Sequence, residues 1–323
     1  MALRKKRNSY TGRTRLAIEH NGFYPYLLNY SSCLQIRGYA ARTIQVHDSA
    51  IRRFIVWCDD RDLHDPKGIT PPLLERYQKH LFHSCKANGE GLSKGTQRSL
   101  LTALKTFFKW LTRSKHIPYN PAAELILPRT VQRIPRYILN ADDIQAVMRQ
   151  PDLRTPQGQR DRAILETLYS TGVRRTELIQ LQEDDINIIQ GTILIREGKG
   201  KKDRLLPVGN TALRWIETYR DDIRPQLVQN LHDKTLFLAD YGEPFGISHL
   251  GNRVKRYLNQ AGIETPGSCH LFRHAMATHM LNNGADIRFI QAMLGHSRLS
   301  TTEIYTRVSI EKLKSIHTAT HPR

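Results

Sequence analysis

INIIQGTILIREGKGKKDRLLPV, residues Ile186–Val208, is where this chain changes its period. Branched and apolar residues crowd into Ile186–Ile189, Thr192–Arg196 and Arg204–Val208, and glycine-containing turns part the three runs. Short β-prone runs divided by glycine turns read as strands, so the stretch predicts a three-stranded antiparallel meander. The rest of the ordered chain reads as helix. The expected fold class is therefore mainly α in two domains, a helical N-terminal domain and an α+β domain that holds this one small sheet.

N-terminal to the meander, Phe23–Ile36 and Pro72–Ser84 fit helices. Thr43 can cap another that carries Ile44, Ile51, Phe54, Ile55 and Cys58. Leu100, Leu101, Leu104, Phe107, Phe108 and Leu111 recur at helical spacing, the pattern of a core stripe rather than a cofactor box. Residues 22–115 thus predict a domain of four or five helices, with a glycine-rich loop over Lys86–Gly95. Prolines at 118, 121, 128 and 135 then break the helical pattern, so residues 116–136 read as an extended linker that could run along a duplex. Its basic side chains Arg129, Arg133 and Arg136 are candidate DNA contacts.

The second domain is expected over residues 137–308. Leu139-Asn140-Ala141-Asp142-Asp143 has an apolar N′ residue, an Asn cap and an acid at N3. A helix over Arg160–Ser170 should stop at Gly172. Helices are expected again at 211–220, 248–260, 270–283 and 286–294, with Gly284 and Gly295 at C′ positions. A last helix, Ser309–His317, belongs to a tail over residues 309–323.

The formal net charge of +19 on 323 residues points to a polyanionic partner, and nucleic acid is the default because Lys and Arg release its counterions. Residues 1–21 carry Arg4, Lys5, Lys6, Arg7, Arg13 and Arg15 with no acid before Glu19, a basic extension that could touch a DNA backbone. Four cysteines without a CxxC pair suit a reduced, cytoplasmic protein. No apolar run reaches membrane-spanning length, and the N-terminus lacks a signal-peptide apolar region, so no membrane partner is expected.

Candidate chemistry lies in five places. Thr171-Gly172-Val173-Arg174-Arg175-Thr176-Glu177 puts a guanidinium at a turn that opens a helix, suited to a bidentate phosphate contact or to a plain surface arginine pair. Gly198-Lys199-Gly200-Lys201-Lys202-Asp203-Arg204 is a hairpin turn whose lysine could reach a phosphate or donate a proton, and it lacks P-loop spacing. His270-Leu271-Phe272-Arg273 sets an imidazole and a guanidinium on one helix face. His296 follows a helix stop, and Tyr305, nine residues on, needs cationic neighbours or a base to act as a nucleophile. His270, His274 and His296 could be metal ligands, but there is no HExxH and no carboxylate in the 270–283 helix, so no metal is expected.

Taken together, the order Arg, Lys, His-x-x-Arg, His, Tyr resembles the tyrosine recombinase, or phage integrase, family, and the local wording is most like its Xer branch. The likeness runs over nearly all of residues 22–323. It implies a SAM-like core-DNA-binding domain followed by the catalytic domain, a C-shaped clamp on double-stranded DNA. It implies that Tyr305 attacks the scissile phosphate to give a 3′-phosphotyrosyl link, with Arg174 and Arg273 on the non-bridging oxygens. Lys199 would protonate the leaving 5′-oxygen, His270 would handle the tyrosine proton or bond to the phosphate, His296 would add another phosphate hydrogen bond, and Glu177 would brace the site. Lys201, Lys202 and Arg204 join the candidate DNA contacts. No cofactor is implied, neither metal nor ATP, and the working unit would be a homotetramer, or a heterotetramer with a paralogue, that passes through a Holliday junction. The alternatives are a type IB topoisomerase-like enzyme and a catalytically silent DNA-binding protein.

Overall fold

The structure, a computed structural model, describes residues 18–86, 88–130, 137–196, 203–230 and 232–295. The chain divides into two compact units, Met1–Gln132 and Arg133–Arg323. The expected last helix, Ser309–His317, lies outside the described residues.

The first unit is helical: α1 (Tyr24–Ile36), α2 (Ala41–Asp59), α3 (Pro71–His83) and α4 (Lys94–Arg113). The apolar stripes of α2 and α4 face each other, burying Ile51, Phe54, Ile55 and Cys58 against Leu101, Leu104, Phe107, Phe108 and Leu111. Phe54 is the hub. It meets Phe23, Tyr77 and Phe108 edge to face at centroid distances of 5.9, 5.0 and 5.8 Å, the arrangement that ring quadrupoles favour. Ser93 caps α4, its Oγ accepting from the Thr96 N–H at 3.1 Å.

Two expectations change here. Thr43 does not start α2, which begins at Ala41 with no side-chain cap and carries Thr43 inside its first turn. The proline-rich stretch is not extended over its first half. Its prolines stop helix, yet Ile117, Ala122 and Leu125 are apolar and bury in the first core. Lys105 Nζ then donates to the Ala123 and Leu125 carbonyls at 2.9 Å each, and Arg98 donates to Pro128 O at 3.0 Å. Ile18 and Asn21, expected in the basic extension, are likewise buried in this unit.

The second unit is built around α6 (Pro156–Thr171). Thr155 caps it by accepting from Gly158 N at 3.0 Å, and Gly172 ends it at φ +60°. Before it, α5 (Ala141–Met148) has the expected capping box: Asn140 accepts from Asp143 N at 2.8 Å, and Asp143 accepts from Asn140 N at 2.9 Å. After it come α7 (Arg175–Gln180) and a sheet of order β1-β2-β3, antiparallel throughout: β1 (Ile186–Asn187), β2 (Thr192–Ile195) and β3 (Arg204–Pro207). Ile193 pairs with both Ile186 and Leu206 and points into the core. The first strand is shorter than expected because Asn187 Oδ1 accepts from Gln190 N at 2.9 Å and turns the chain early, leaving Ile189 99% exposed.

Helices α8 (Asn210–Thr218), α9 (Arg224–Leu227), α10 (Ile247–Gln260), α11 (Cys269–Asn282) and α12 (Ile287–Leu294) complete the described fold. The helix expected over 211–220 does not stop there. A π-helical turn, Tyr219–Ile223, carries it into α9. A buried ion-pair network fastens α6 to α10. Arg160, fully buried, donates to Asp161 Oδ1 at 2.7 Å and Asp240 Oδ1 at 2.9 Å, while Arg253 and Tyr257 donate to Asp161 Oδ2 at 3.1 and 2.6 Å. Burial first, and then the Asp161 charge, push the Tyr257 hydroxyl up to about 12.

Candidate active site

The site starts at the end of α6. Glycine is well suited to position 172. Its φ is positive, and a Cβ there would collide with Met276 Cε and stand 3.2 Å from Leu294 Cδ2. That close approach brings α6, α11 and α12 together and turns the chain so that Arg174 becomes the N-cap of α7.

Glu177, one turn into α7, gathers the arginines. Its carboxylate accepts from the Arg174 backbone N–H at 2.8 Å, from Arg174 Nη1 at 2.7 Å, and from Arg204 Nη1 and Nη2 at 3.1 and 2.7 Å. The side chain is 5% exposed. Burial alone would raise its pKa. Hydrogen bonds from Arg204 and from the Arg174 backbone and side chain, with the Arg204 charge, outweigh burial and bring it down to about 2. Glu177 is thus a fixed anion between two fixed cations.

The end of α12 organises the guanidiniums. The last carbonyls of a helix have no partner within it. Here three successive ones each accept from a different arginine: Met293 O from Arg204 Nε at 3.0 Å, Leu294 O from Arg273 Nη2 at 2.6 Å, and Gly295 O from Arg174 Nη2 at 3.2 Å. Arg273 also donates to Gly172 O at 2.6 Å. Cations at a helix C-terminus are favoured by its dipole as well. Arg174 and Arg273, 99 residues apart in sequence, are brought to adjacent carbonyls by this device.

His270 sits one turn before Arg273 on α11. Gly267, at φ +131°, lets the imidazole come close to the chain, since a Cβ there would be 2.6 Å from His270 Cε1. The ring has an exposed edge, but the part packed on Gly267 loses water, and this burial, followed by the charge of Arg175, lowers its pKa. His274, one turn on, is pushed down to about 4 by burial, then by His270 and Arg273. Both rings are neutral near pH 7.

The other sequence-based candidates fall as follows. Arg129 is exposed on the first unit. Arg204, expected as a DNA contact, has both terminal nitrogens on Glu177. Lys199, Lys201, Lys202, Arg133, Arg136, His296 and Tyr305 lie outside the described residues. Sequence reading missed the α12 carbonyls and the position of Arg204 as the second arm of Glu177. The available signal was that Arg204 opens the returning strand of the hairpin.

Residues 138–312 match the phage integrase family, and residues 27–116 match the phage integrase N-terminal SAM-like domain. Tyrosine recombinase XerC 2 of Ralstonia nicotianae is 50% identical over 297 residues, 92% of this chain and 85% of that protein. Tyrosine recombinase XerD of Pseudomonas putida is 40% identical over 287 residues, 89% and 93% of the two chains. Among solved structures, XerA recombinase covers 93% of this chain and 99% of its own at 26% identity, with a TM-score of 0.51. In fold, the chain is also similar to XerH site-specific recombinase in its pre-cleavage complex with difH substrate (23% identity, 91% and 85% covered, TM-score 0.67).

Proposed function

The chain belongs to the phage integrase family as an Xer-like, tyrosine-type site-specific recombinase, and from that premise we propose that Tyr305 is its nucleophile and that Arg174, Lys199, His270, Arg273 and His296 serve it. The observation that carries this is the convergence of Arg174 and Arg273 on the last carbonyls of α12, at Gly295 and Leu294. Two guanidiniums are held side by side there, and the next residues of the chain lead to His296 and Tyr305.

In this reading the two guanidiniums neutralise the non-bridging oxygens of the scissile phosphate, a stabilisation that grows as charge builds in the transition state. The Tyr305 oxygen bonds to phosphorus and the bond to the 5′-oxygen breaks. The phenolic proton passes to neutral His270. Lys199 protonates the departing 5′-oxygen, and His296 adds a donor to the phosphate. The 3′-phosphotyrosyl ester keeps the energy of the phosphodiester, so rejoining by another 5′-hydroxyl needs neither ATP nor a metal. Glu177 and Arg204 hold Arg174 in place.

The substrate is double-stranded DNA, and two sites held by four protomers, identical or paired with a paralogue, would pass through a Holliday junction. We assign the first helical unit, from Ile18 through the segment up to Leu125 that packs into its core, to core-site binding, the chain from there to residue 136 to the linker and 137–308 to catalysis, with 309–323 coupling protomers and the basic stretch Arg4–Arg15 touching the backbone. Arg129, Arg133, Arg136, Lys201 and Lys202 would meet phosphates. Among the described residues no helix is long and apolar enough to cross a membrane; a DNA substrate supports a cytoplasmic enzyme. The topoisomerase-like alternative is not favoured, because relatives matching about nine-tenths of the chain carry recombinase names.

Covalent capture tests the assignment. Tagged wild type and Tyr305→Phe are expressed, denatured rapidly in SDS, purified under stringent conditions, and the attached DNA is sequenced. DNA on wild type alone, broken at one defined position, is expected. Equal amounts of attached DNA on both proteins would refute Tyr305 as the nucleophile.

A further inference from the structure

Beside the arginines that Glu177 gathers stands another that the reaction scheme does not use. Arg175 is half-buried, yet among the described residues no carboxylate or carbonyl accepts a hydrogen bond from it. Its neighbour Arg174 turns the other way, to Glu177 and Gly295. Taking a guanidinium partly out of water without an acceptor is unfavourable, so such a group calls for an anion from outside the chain.

The fold makes room for it. The guanidinium of Arg175 lies over Gly251 in α10, where a Cβ would collide with Nη1 and stand 3.5 Å from Cζ. Glycine inside a helix weakens that helix, and here its lack of a side chain is what admits the arginine. On its other side the guanidinium faces the start of α11. Its charge bears on both Cys269 and His270 there, and in each it is the leading influence after burial. Arg175 therefore occupies the same end of α11 as the imidazole proposed to meet the scissile phosphate, but on the α10 side.

We propose that Arg175 is a third guanidinium of this site, binding a backbone phosphate of the DNA on the α10 side of His270. This rests on the reading that His270 faces the cleaved strand. A duplex places its phosphates in a row, so an arginine flanking the scissile position has a neighbouring phosphate to meet. A phosphate oxygen would supply the charge-assisted acceptor that the chain withholds.

The test separates charge from packing, and binding from cleavage. In a Tyr305→Phe background, affinity for a mixed-sequence DNA duplex is measured across a salt series for Arg175, Arg175→Gln and Arg175→Lys. Each phosphate neutralised contributes about 0.9 to the slope of log K against log salt. Arg175→Gln keeps much of the packing on Gly251 but should lower that slope by about one and weaken binding about tenfold at low salt. Arg175→Lys should restore the slope. Gly251→Ala, which displaces the guanidinium, should behave like Arg175→Gln. Wild-type slope and affinity in Arg175→Gln, or equal losses in the Gln and Lys variants, would overturn the proposal. Failure of the Tyr305 assignment would show up separately, as no Tyr305-dependent adduct, with these slopes untouched.

Discussion

Glu177→Gln is the substitution that most directly tests how the site is held. The carboxylate takes four hydrogen bonds from two arginines while 5% exposed. Its pKa falls from 4.5 to about 2. At about 1.4 kcal/mol for each tenfold change in proton affinity, that corresponds to about 3 kcal/mol of stability near neutral pH. The cost of removing one partner from a buried ion pair, about 3–5 kcal/mol, agrees with it. Gln offers a single oxygen, and its amide hydrogens face a guanidinium, so nothing replaces the lost charge. Urea denaturation is read by hydrogen exchange on peptides from α6 and α11, which report the second unit alone. The variant should be about 3 kcal/mol less stable at pH 7. Because the folded pKa is depressed, the stabilisation is complete above about 4.5 and is lost as pH falls through about 2. The gap between the two proteins should therefore close over that window. A gap below about 1 kcal/mol at pH 7, or one that ignores pH below 4.5, would refute the reasoning.

Other substitutions probe separate parts of the fold and the chemistry. Gly172→Ala combines a positive φ with a collision against Met276, and should cost about 1–3 kcal/mol, seen as a lowered Tm; an unchanged Tm would show that the Met276 side chain swings aside and that the turn accepts alanine. Asp161→Asn leaves Arg160 buried beside a neutral amide and should cost about 3–5 kcal/mol in the same denaturation assay. Lys199→Ala should slow cleavage of an ordinary substrate, while a 5′-bridging sulfur, a leaving group that needs no proton, should recover most of the rate. Equal defects on both substrates would remove Lys199 as the general acid.

The features legible in the sequence were those set by neighbours along the chain. Asn140 with Asp143, Gly172 and Gly295 are local signals for helix ends, and the stripes of α2 and α4 follow from helical period alone. The meander was legible for the same reason. Its first strand came out short because one Asn side chain captured a backbone N–H, a competition that residue counting does not weigh. The prolines after α4 did forbid helix, but they do not decide whether a chain runs free, and Ile117, Ala122 and Leu125 settled that by burial. Arg204 shows the limit most sharply. In sequence it is one more basic residue on a basic hairpin. Its partners are Glu177 and Met293, 27 and 89 positions away, and only the fold that sets the start of β3 beside Glu177 and the end of α12 selects them.

The carbonyls at the end of α12 explain how three cations are kept close together before any DNA arrives. Like charges at such spacing repel, and the repulsion is offset by Glu177 and by three oxygens that carry the partial negative charge of a helix terminus. The hold is uneven. The Arg204 side chain is 13% exposed and bound at both ends, whereas that of Arg174 is 25% exposed and reaches Gly295 O at 3.2 Å, the longest of the three carbonyl contacts. A phosphate oxygen is a stronger acceptor than a carbonyl, so Arg174 is the guanidinium that exchanges its partner most cheaply when a phosphate enters. Its geometry hardly needs to change, because Glu177 fixes the other side. The orientation of the proposed phosphate clamp is then set during folding rather than during catalysis, which is where preorganised charge is most effective.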